Sequence, residues 1–483
     1  MTDCKTAYEM FERSSRFFRD NPAIIFENAP ERAYEQPWTY GYLNTQTNFL
    51  ARGLAYYGVA RGDKVCLCLH NAPKLIAAYL AVSKLGAASV MLNPALPGGN
   101  IKKIAQESDY KFWVDEKTIR DVYLSSGRYA NRPDLTSPLG AEDTAAILYS
   151  SGTTGEQKGV ELSVKNIYRN VSYTSVLTGM TPKDRLMCFV PLTHCFGLNF
   201  VMTACLYTGA ALVLHEKFGP KQILDSSVNN KVSMFFAVPA VYNLFLKQEA
   251  DPFFFSSVRY FFYAADSLSV ESALKWEKEY GRKIYSGYGL TETSPFATSN
   301  HPDIYKLGSV GKPIPGVNIK IASDGEIFIR GHNVMKGYFK NPVETAKSIN
   351  SEGWFATGDI GYIDHEGYLF LKDRKKDMIN MAGEKVWPAE VEKKIILHPA
   401  VMEAAVVGIP HEIMGEVPKA FIVLKEKNSA TKEILQEFLK PLLTKNEFPR
   451  QIEFLDRLPR NPSGKILKNE LRQKKETPPL ANT

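Results

Sequence analysis

The sequence predicts an α/β protein: a large N-terminal domain of doubly wound, mostly parallel sheets with a small β subdomain, then a small, mobile α+β C-terminal domain. Three observations predict this fold. Helical and strand-like patterns alternate from residue 51 to residue 262, as they do in successive βαβ units. Short strand patterns with Gly and Pro turns follow at 307–330. A charged segment at 372–377 then precedes a compact mixture of helix and strand patterns.

These changes of pattern divide the chain. We expect an N-terminal domain at 1–373, a hinge at 374–377, a C-terminal domain at 378–472 and a flexible tail at 473–483. A chain of 483 residues is too long for one ordinary core, which agrees with two or more domains.

The elements of the large domain follow from apolar periodicity and from the turns between them. After the helix that ends at Tyr57, the pattern predicts strand 64–69, helix 74–86, strand 89–93, helix 101–108 and strand 111–115, then helix 164–177, strand 185–191 and strand 234–239. The longest apolar stretch, 196–214, is interrupted by Asn199, Thr203 and Thr208. It therefore indicates a buried helix, turn and strand instead of a membrane span. The many aromatic residues between 235 and 263 are expected to be mainly core.

The C-terminal part restarts with a different order of elements. Its pattern predicts helix 388–397, strands near Ala404 and Ala420, helix 431–443 and a basic end. The segment 457–475 holds seven basic residues against the single acid Glu470. It is either a solvated basic tail or a face for phosphates or an acidic partner. Because no aromatic residue is interleaved with these charges, nucleic acid is not expected as a partner.

Composition excludes several classes of protein. Hydrophobic residues make up 44% and charged residues 23% of the chain, and the net charge is +7, values typical of a soluble globular protein. Charged residues mixed into the first 19 positions leave no signal-peptide core, so a cytoplasmic location is expected. Six cysteines form no C-x-x-C pair and eight histidines form no H-E-x-x-H, so zinc and disulfide frameworks are not expected.

A loop rich in Gly, Ser and Thr at 149–160 is the strongest functional signal. Its backbone N–H and hydroxyl donors can surround phosphate oxygens, and Lys158 adds a cation. The loop is not that of a phosphate-loop NTPase, because Gln157 and Gly159 stand where that pattern needs Gly and Ser or Thr. The predicted phosphate-binding residues are Ser150, Ser151, Gly152, Thr153, Thr154, Gly155 and Lys158. Composition alone would favour a flexible surface loop over a phosphate site.

The order Ser-Gly-Thr-Thr-Gly-x-x-Lys-Gly in this loop resembles the signature of the acyl-adenylate-forming superfamily. That superfamily includes acyl- and aryl-CoA synthetases, adenylation domains of peptide synthetases and firefly luciferase. Further stretches resemble the motifs of this family in the same order along nearly the whole chain. The resemblance implies an N-terminal AMP-binding domain and a C-terminal domain that rotates between two half-reactions.

The segment 288–293, with the sequence YGLTET, is similar to the central motif of the family. The resemblance implies that Thr291 binds the α-phosphate and that Glu292 holds Mg²⁺, a role suited to a carboxylate beside a triphosphate. Asp359, at the end of GWFATGD, would accept hydrogen bonds from both ribose hydroxyls. Adenine would contact Ala264, Ala265, Asp266, Tyr288 and Gly289. Taken alone, Thr291 and Glu292 could simply start a helix, and Asp359 could be a turn residue.

The remaining motifs concern the moving parts of the reaction. In the family, residues at the positions of Arg374 and Lys376 contact the ribose and act as the pivot, and Gly383 belongs to a loop that lines the thiol tunnel. Lys465, in NPSGKI, would reach the substrate carboxylate and the α-phosphate. His194, in PLTHCFG, would border the acyl pocket. An isolated histidine would otherwise be a core residue, and an isolated lysine a surface residue.

The resemblance therefore predicts an AMP-forming acid–thiol ligase that uses ATP and Mg²⁺ and passes the acyl group to coenzyme A. Cys195 stands where amino-acid-activating relatives have an aspartate, so the acid is expected to lack an α-amino group. A separate acyl carrier protein with its phosphopantetheine is the alternative acceptor, because no carrier domain follows Lys465. The chain could instead be a nucleotide-binding regulator without turnover or a luciferase-like oxygenase. Gln157 and Ser267 replace prolines common in the family, which bears on loop stiffness.

Overall fold

The structure is a computed structural model that describes residues 4–27, 36–129, 135–150, 157–460 and 466–474. Within these residues the helices begin where the sequence supplies caps. Thr6 and Glu9 form a capping box on the first helix, and Ser163 and Asn166 form another. In chain order the α-helices are α1 Ala7–Phe17, α2 Tyr40–Tyr56, α3 Pro73–Lys84, α4 Gly98–Ser108, α5 Glu116–Leu124, α6 Val164–Leu177, α7 Ala204–Thr208, α8 Pro220–Asn229, α9 Pro239–Lys247, α10 Val270–Tyr280, α11 Pro342–Ser348, α12 Pro388–Ile396, α13 Lys432–Leu439 and α14 Lys468–Gln473.

The strands alternate with helices in the first half of the chain and follow one another after residue 296. In chain order they are β1 Pro22–Glu27, β2 Trp38–Thr39, β3 Lys64–Cys68, β4 Ala88–Leu92, β5 Phe112–Val114, β6 Thr144–Ser150, β7 Lys158–Ser163, β8 Arg185–Cys188, β9 Ala211–His215, β10 Met234–Ala237, β11 Tyr260–Tyr263, β12 Ile284–Gly289, β13 Phe296–Ser299, β14 Lys312–Pro313, β15 Val317–Ile321, β16 Glu326–Gly331, β17 Gly337–Tyr338, β18 Phe355–Ile363, β19 Leu369–Arg374, β20 Ile379–Met381, β21 Glu384–Val386, β22 Val401–His411, β23 Gly415–Leu424 and β24 Gln451–Phe454.

Two large sheets share the main core. In the described part of the chain one sheet has the order β14-β13-β12-β11-β10-β8-β9-β1-β2, and the other has the order β17-β7-β6-β4-β3-β5. The helix α3, whose residues are nearly all buried, packs with α1 and α2 in the core that contacts both sheets. The predicted α/β fold with doubly wound sheets is confirmed.

Both large sheets contain parallel strands in the middle and antiparallel strands beside them. The strands β12-β11-β10-β8-β9-β1 and β6-β4-β3-β5 pair in parallel, whereas β2, β7, β13, β14 and β17 pair antiparallel. The β6–β7 pair is the important departure, because its antiparallel register places Ser150 opposite Lys158. These two predicted phosphate-binding residues therefore lie side by side on neighbouring antiparallel strands.

A four-stranded antiparallel sheet, β15-β16-β18-β19, follows within the described residues and has its own small core around Ile327 and Ile329. It ends at Arg374, and the next sheet, which contains β20 to β24, begins at Ile379. A short 3₁₀ helix, Lys375–Asp377, joins the two sheets. The change of sheet lies in the segment where we predict the hinge, and the domain boundary itself stays a prediction.

The apolar stretch 196–214 forms a buried π-helix, Phe196–Thr203, then α7, a turn at Gly209 and the strand β9. Gly209 ends α7 in the left-handed region at φ +84°, as helices often end. The predicted order of helix, turn and strand is therefore confirmed. No helix among the described residues is both long enough and apolar enough to span a membrane.

Among the described residues of the basic C-terminal segment, several cations are paired within the protein instead of being fully solvated. Four of its cations form ion pairs with acids of the same part of the chain. The pairs are Arg460 with Glu403, Lys468 with Glu392, Arg472 with Asp377 and Lys474 with Glu453. Gln473, which we place in the tail, is the last residue of α14. A local count of charges cannot show these partners, because they lie far away in sequence.

Candidate active site

Lys158 is the first residue of β7 and pairs with Ser150, the last residue of β6, so it lies at the connected end of the β6–β7 hairpin. Lys158 Nζ lies 2.6 Å from Glu344 Oε1 and 4.9 Å from the ring centroid of Tyr338, which is on the strand that pairs with β7. The Lys158 side chain is 29% exposed, so its charge is held at the rim of the hairpin. Of the other predicted phosphate-binding residues, Ser151, Gly152, Thr153, Thr154 and Gly155 lie outside the described residues, and only the backbone of Ser150 is described.

Glu292 lies in a 3₁₀ turn, Thr291–Thr293, directly after β12. Its side chain is buried and its Oε1 accepts a hydrogen bond from the Tyr338 hydroxyl at 3.0 Å. The ion pairs found among the described residues do not include this carboxylate. Burial raises the pKa of Glu292, and the hydrogen bonds from its own backbone N–H and from Tyr338, together with the charge of Arg374, only partly oppose this. A buried carboxylate without a close ion-pair partner is costly, and a cation beside it would reduce that cost.

Asp359 lies on β18 and is held by two neighbours. Tyr288 donates its hydroxyl to Oδ2 at 2.8 Å, and Arg374 Nε lies 3.0 Å from Oδ1. The negative charge of Asp359 raises the pKa of Arg374, and burial raises the pKa of Tyr288. Since Tyr288 and Glu292 belong to one short segment, the predicted magnesium, adenine and ribose residues meet in one place.

The strands β10, β11 and β12 run in parallel, so their carboxyl ends lie at the same edge of the large sheet. The predicted adenine residues Ala264, Ala265 and Asp266 follow β11 at this edge, beside Tyr288 and Gly289 at the end of β12. Ala265 has φ +74°, a conformation that costs about 1 kcal/mol for a residue with a side chain and that is found at functional sites.

His194 lies two residues before the π-helix Phe196–Thr203. That helix is hydrogen-bonded to Ser294, which follows the Glu292 turn. Its Nδ1 accepts a hydrogen bond from the backbone N–H of Phe196 at 3.3 Å. The neighbouring Cys195 is buried, and Asn199 joins the two regions by donating to Cys195 Sγ at 3.3 Å and to the carbonyl of Ser294 at 3.3 Å. The predicted acyl-pocket residue therefore lies on an element that is bonded to the predicted ATP site.

The predicted pivot and tunnel residues lie beyond β19. Lys376 is in the 3₁₀ helix between the sheets, and Gly383 is in the two-residue turn of the β20–β21 hairpin. Ala382 and Gly383 have φ of +52° and +89°, as this tight hairpin turn requires. The hydrogen bonds found for the turn go to Asn380 and Met414 and so do not reach Glu292. Lys465 lies outside the described residues.

Two groups of residues in the site escape sequence reasoning. Tyr338 and Glu344, which hold Glu292 and Lys158, come from a segment without a polar motif, and a tyrosine there is indistinguishable from core. Asn71 is buried and bonds to the segment before His194, donating to the carbonyl of Val190 at 3.0 Å and accepting from Leu192 N–H at 2.9 Å. Its only signal in sequence is a polar residue between an apolar strand and an apolar helix.

Comparison with known proteins agrees with this geometry. Residues 11–339 match the family model described as AMP-binding enzyme, and residues 390–465 match that of the AMP-binding enzyme C-terminal domain. The chain belongs to the AMP-binding enzyme family. The resemblance to the acyl-adenylate-forming superfamily that the motifs suggest is thereby confirmed.

Individual relatives give the enzyme class. The chain is 32% identical over 472 residues to the 2-succinylbenzoate–CoA ligase of Bacillus pumilus, covering 92% of this chain and 96% of that protein. It is 32% identical over 512 residues to 4-coumarate–CoA ligase 2 of Nicotiana tabacum, with 96% and 93% covered. The O-succinylbenzoate coenzyme A synthetase of Bacillus subtilis, solved with ATP and magnesium ion, superposes with a TM-score of 0.85 at 30% identity, with 97% and 99% covered. The predicted class, an AMP-forming acid–thiol ligase, is confirmed.

Proposed function

We propose that this enzyme joins a carboxylic acid without an α-amino group to ATP, forming acyl-AMP and pyrophosphate, and then transfers the acyl group to the thiol of coenzyme A. The observation that carries the proposal is the buried Glu292 carboxylate beside the Tyr288–Asp359–Arg374 group. The names of the relatives support the overall reaction. The residue roles below are part of the same proposal.

The residues of this site fit a nucleotide with its cation. Asp359, an acceptor-only group, takes the ribose hydroxyls once Tyr288 and Arg374 have shifted their hydrogen bonds to the nucleotide. Glu292 holds Mg²⁺, because an anionic oxygen ligand that lacks a cation suits this ion. The ion, when bound, neutralises phosphate charge. The residues Ser150, Ser151, Gly152, Thr153, Thr154, Gly155 and Lys158 hold the phosphates, Thr291 contacts the α-phosphate, and Ala264, Ala265, Asp266 and Gly289 line the adenine.

The first half-reaction is an attack of the substrate carboxylate on the α-phosphorus. The P–O bond to pyrophosphate breaks as the new O–P bond forms, and negative charge grows on the phosphorus oxygens. Lys465 stabilises that charge, and His194 borders the acid. In the second half-reaction the C-terminal domain turns at Lys376, the loop with Gly383 lines the thiol tunnel, and the thiol displaces AMP from the acyl group. This displacement is possible because the first half-reaction has replaced the poor leaving group of the carboxylate by AMP, a good one.

Cys195 supports the exclusion of amino acids as substrates. Its thiol is 1% exposed, and burial raises its pKa well above the ordinary value, so it is a neutral group at the acyl side of the site. A substrate ammonium buried there would have no carboxylate partner at this position and would cost several kcal/mol.

The test is AMP release from ATP with a panel of acids that includes 2-succinylbenzoate, 4-coumarate, benzoate, malonate and phenylalanine. We expect release with at least one acid, dependent on coenzyme A and absent with phenylalanine. A holo acyl carrier protein as the better acceptor would replace coenzyme A in the proposal. Acid-dependent pyrophosphate exchange at background for every acid would contradict the proposal and favour a nucleotide-binding regulator.

A further inference from the structure

The C-terminal helix α14 is bonded directly to the hinge segment. Arg472 Nη2 lies 2.6 Å from Asp377 Oδ1, and Asp377 is the residue after the predicted pivot Lys376. One turn earlier on α14, Lys468 Nζ lies 2.7 Å from Glu392 Oε1 on α12. The side chains of Lys468 and Glu392 are each 17% exposed, that of Asp377 is 11% exposed and that of Arg472 is 28% exposed. These pairs are therefore largely shielded from solvent, unlike fully exposed surface ion pairs.

The charges in this cluster depend on one another. Burial raises the pKa of Glu392, and burial would lower the pKa of Lys468, but Glu392 and Asp373 outweigh this and raise it. Burial also works to raise the pKa of Asp377, but the hydrogen bond from Arg472 and the charge of Lys468 lower it. Removing one partner would leave another charge buried and uncompensated, which is strongly unfavourable.

The described residues before position 461 and after position 465 are bonded to each other. Arg460 and Ile466 form an antiparallel bridge, and Leu467 N–H donates to the carbonyl of Pro459 at 2.9 Å. Leu471 is buried in a small core with Val407 and Phe421 of the same sheet. The described chain before residue 461 and after residue 465 is thus part of the body that contains β22 and β23. In the sequence, Lys465 directly precedes Ile466.

We propose that Arg472 and Lys468 are positioning residues for Lys465. Their ion pairs with Asp377 and Glu392 make α14, α12 and the end of the hinge one rigid body, so that rotation at Lys376 brings the residue before Ile466 to a reproducible place at the α-phosphate. The inference rests on the proposed function, because it uses the role of Lys465 in the first half-reaction. It adds that the ion pairs of Arg472 and Lys468 join the end of the hinge to the helix that follows Lys465.

This coupling predicts an unequal effect on the two half-reactions. Only the first depends on the position of Lys465, and a misplacement of about 1 Å can cost about 100-fold in rate. Arg472→Ala should therefore lower acid-dependent pyrophosphate exchange by about 100-fold and leave thioester formation from synthetic acyl-AMP within about threefold of wild type. Arg472→Lys should recover part of the exchange rate, since it keeps the charge but loses the planar fork.

The control is Lys474→Ala. Lys474 pairs with Glu453 at 2.7 Å, two residues beyond Arg472, and this pair does not involve the hinge. We expect both half-reactions to stay at the wild-type rate. Equal losses in both half-reactions of Arg472→Ala, or a larger loss in thioester formation, would overturn the proposal, as would an unchanged exchange rate.

A measurement on the full-length protein without substrates separates this inference from the proposed function. Hydrogen exchange at residues 466–471 should be faster in Arg472→Ala than in wild type and in Lys474→Ala, while exchange in β22 and β23 stays unchanged. If no acid is activated by the wild type, the proposed function fails. The hydrogen-exchange rates at 466–471 still decide whether the ion pairs join α14 to the hinge. Unchanged exchange at 466–471 would overturn the coupling itself.

Discussion

The buried position of the Glu292 carboxylate lowers the free energy of unfolding when the carboxylate is charged. Its carboxylate is 8% exposed and has the Tyr338 hydroxyl as its hydrogen-bond donor, so burial holds its pKa above the ordinary value of 4.5. A group that binds its proton more tightly in the folded protein loses stability as pH rises above its unfolded pKa. Such a conflict is typical of functional sites, where stability is given up for a ligand that arrives later.

Glu292→Gln should therefore increase the melting temperature of the nucleotide-free protein at pH 8, because the amide oxygen still accepts from Tyr338 and the buried charge is gone. The gain should shrink as the pH falls toward 4.5. Acid-dependent pyrophosphate exchange should fall by about 100-fold or more. Differential scanning fluorimetry over a pH series and the exchange assay measure these two effects.

Glu344→Gln is the matched control for this prediction. The hydrogen bond from Lys158 lowers the pKa of Glu344, so its stabilising contribution is present above the unfolded pKa and lost as pH falls. Glu344→Gln should thus lower the melting temperature slightly at pH 8, by less than about 1 kcal/mol in free energy of unfolding. A lower melting temperature for Glu292→Gln at pH 8 would show that its charge is already compensated.

Among single residues, the sequence predicts those that belong to motifs and misses those that support them. Tyr288, Glu292, Asp359 and Arg374 follow from the resemblance, and the structure brings them together. Asn71 bonds to Leu192 across 121 positions of sequence. Its partner is set by how two sheets and their helices pack, and nothing in the local pattern of residues records that packing.

Two helices of similar kind end in different surroundings. Gly209, after α7, has φ +84°, and a Cβ there would lie 2.4 Å from the ring of Phe18. Gly179, after α6, has φ +59° and no atom within 4 Å of such a Cβ. Both positions favour glycine because of their backbone, but only Gly209 also needs the space. The end of α7 thus packs closely against Phe18, which follows the N-terminal helix α1.

Gly179→Ala should cost about 1 kcal/mol in free energy of unfolding, since strain in the left-handed region is its only penalty. Gly209→Ala should cost clearly more, about 3 kcal/mol, because the ring of Phe18 must also move. Urea unfolding of the two variants under identical conditions gives the comparison. Equal losses in the free energy of unfolding would mean that the Phe18 ring moves aside freely and that its contact with Gly209 does not stabilise the end of α7.

The elements themselves follow well from periodicity. Helix 164–177 agrees with α6, and the predicted ends of α3, α12 and β4 differ by one or two residues from the structure. The sequence does not predict the antiparallel pairing of β6 with β7, because alternation of strands and helices suggests only parallel crossovers. The sequence between the paired residues Ser150 and Lys158 carries no two-residue turn signal, so local sequence does not reveal this pairing.

In the molecule as a whole, the proposed reaction needs residues from two parts of the chain. One part ends with the four-stranded sheet at Arg374, and the other begins with the next sheet at Ile379. The residues proposed to bind the nucleotide come from the two large sheets and the four-stranded sheet, whereas Lys465 follows the proposed hinge in the sequence. The sequence predicts both parts and their order from composition and motifs. It does not predict the buried ion pairs of Lys468 and Arg472, because a basic segment looks the same whether it is solvated or paired.

In the proposed mechanism one site makes acyl-AMP, and Lys465 takes part in that half-reaction alone. Comparing Lys465→Ala with wild type in both half-reactions, using the most active acid of the panel, tests this directly. We expect acid-dependent pyrophosphate exchange to fall by at least about 100-fold, and thioester formation from synthetic acyl-AMP and coenzyme A to remain within about threefold. Retention of exchange at the wild-type rate, or equal loss of both activities, would contradict this role of Lys465.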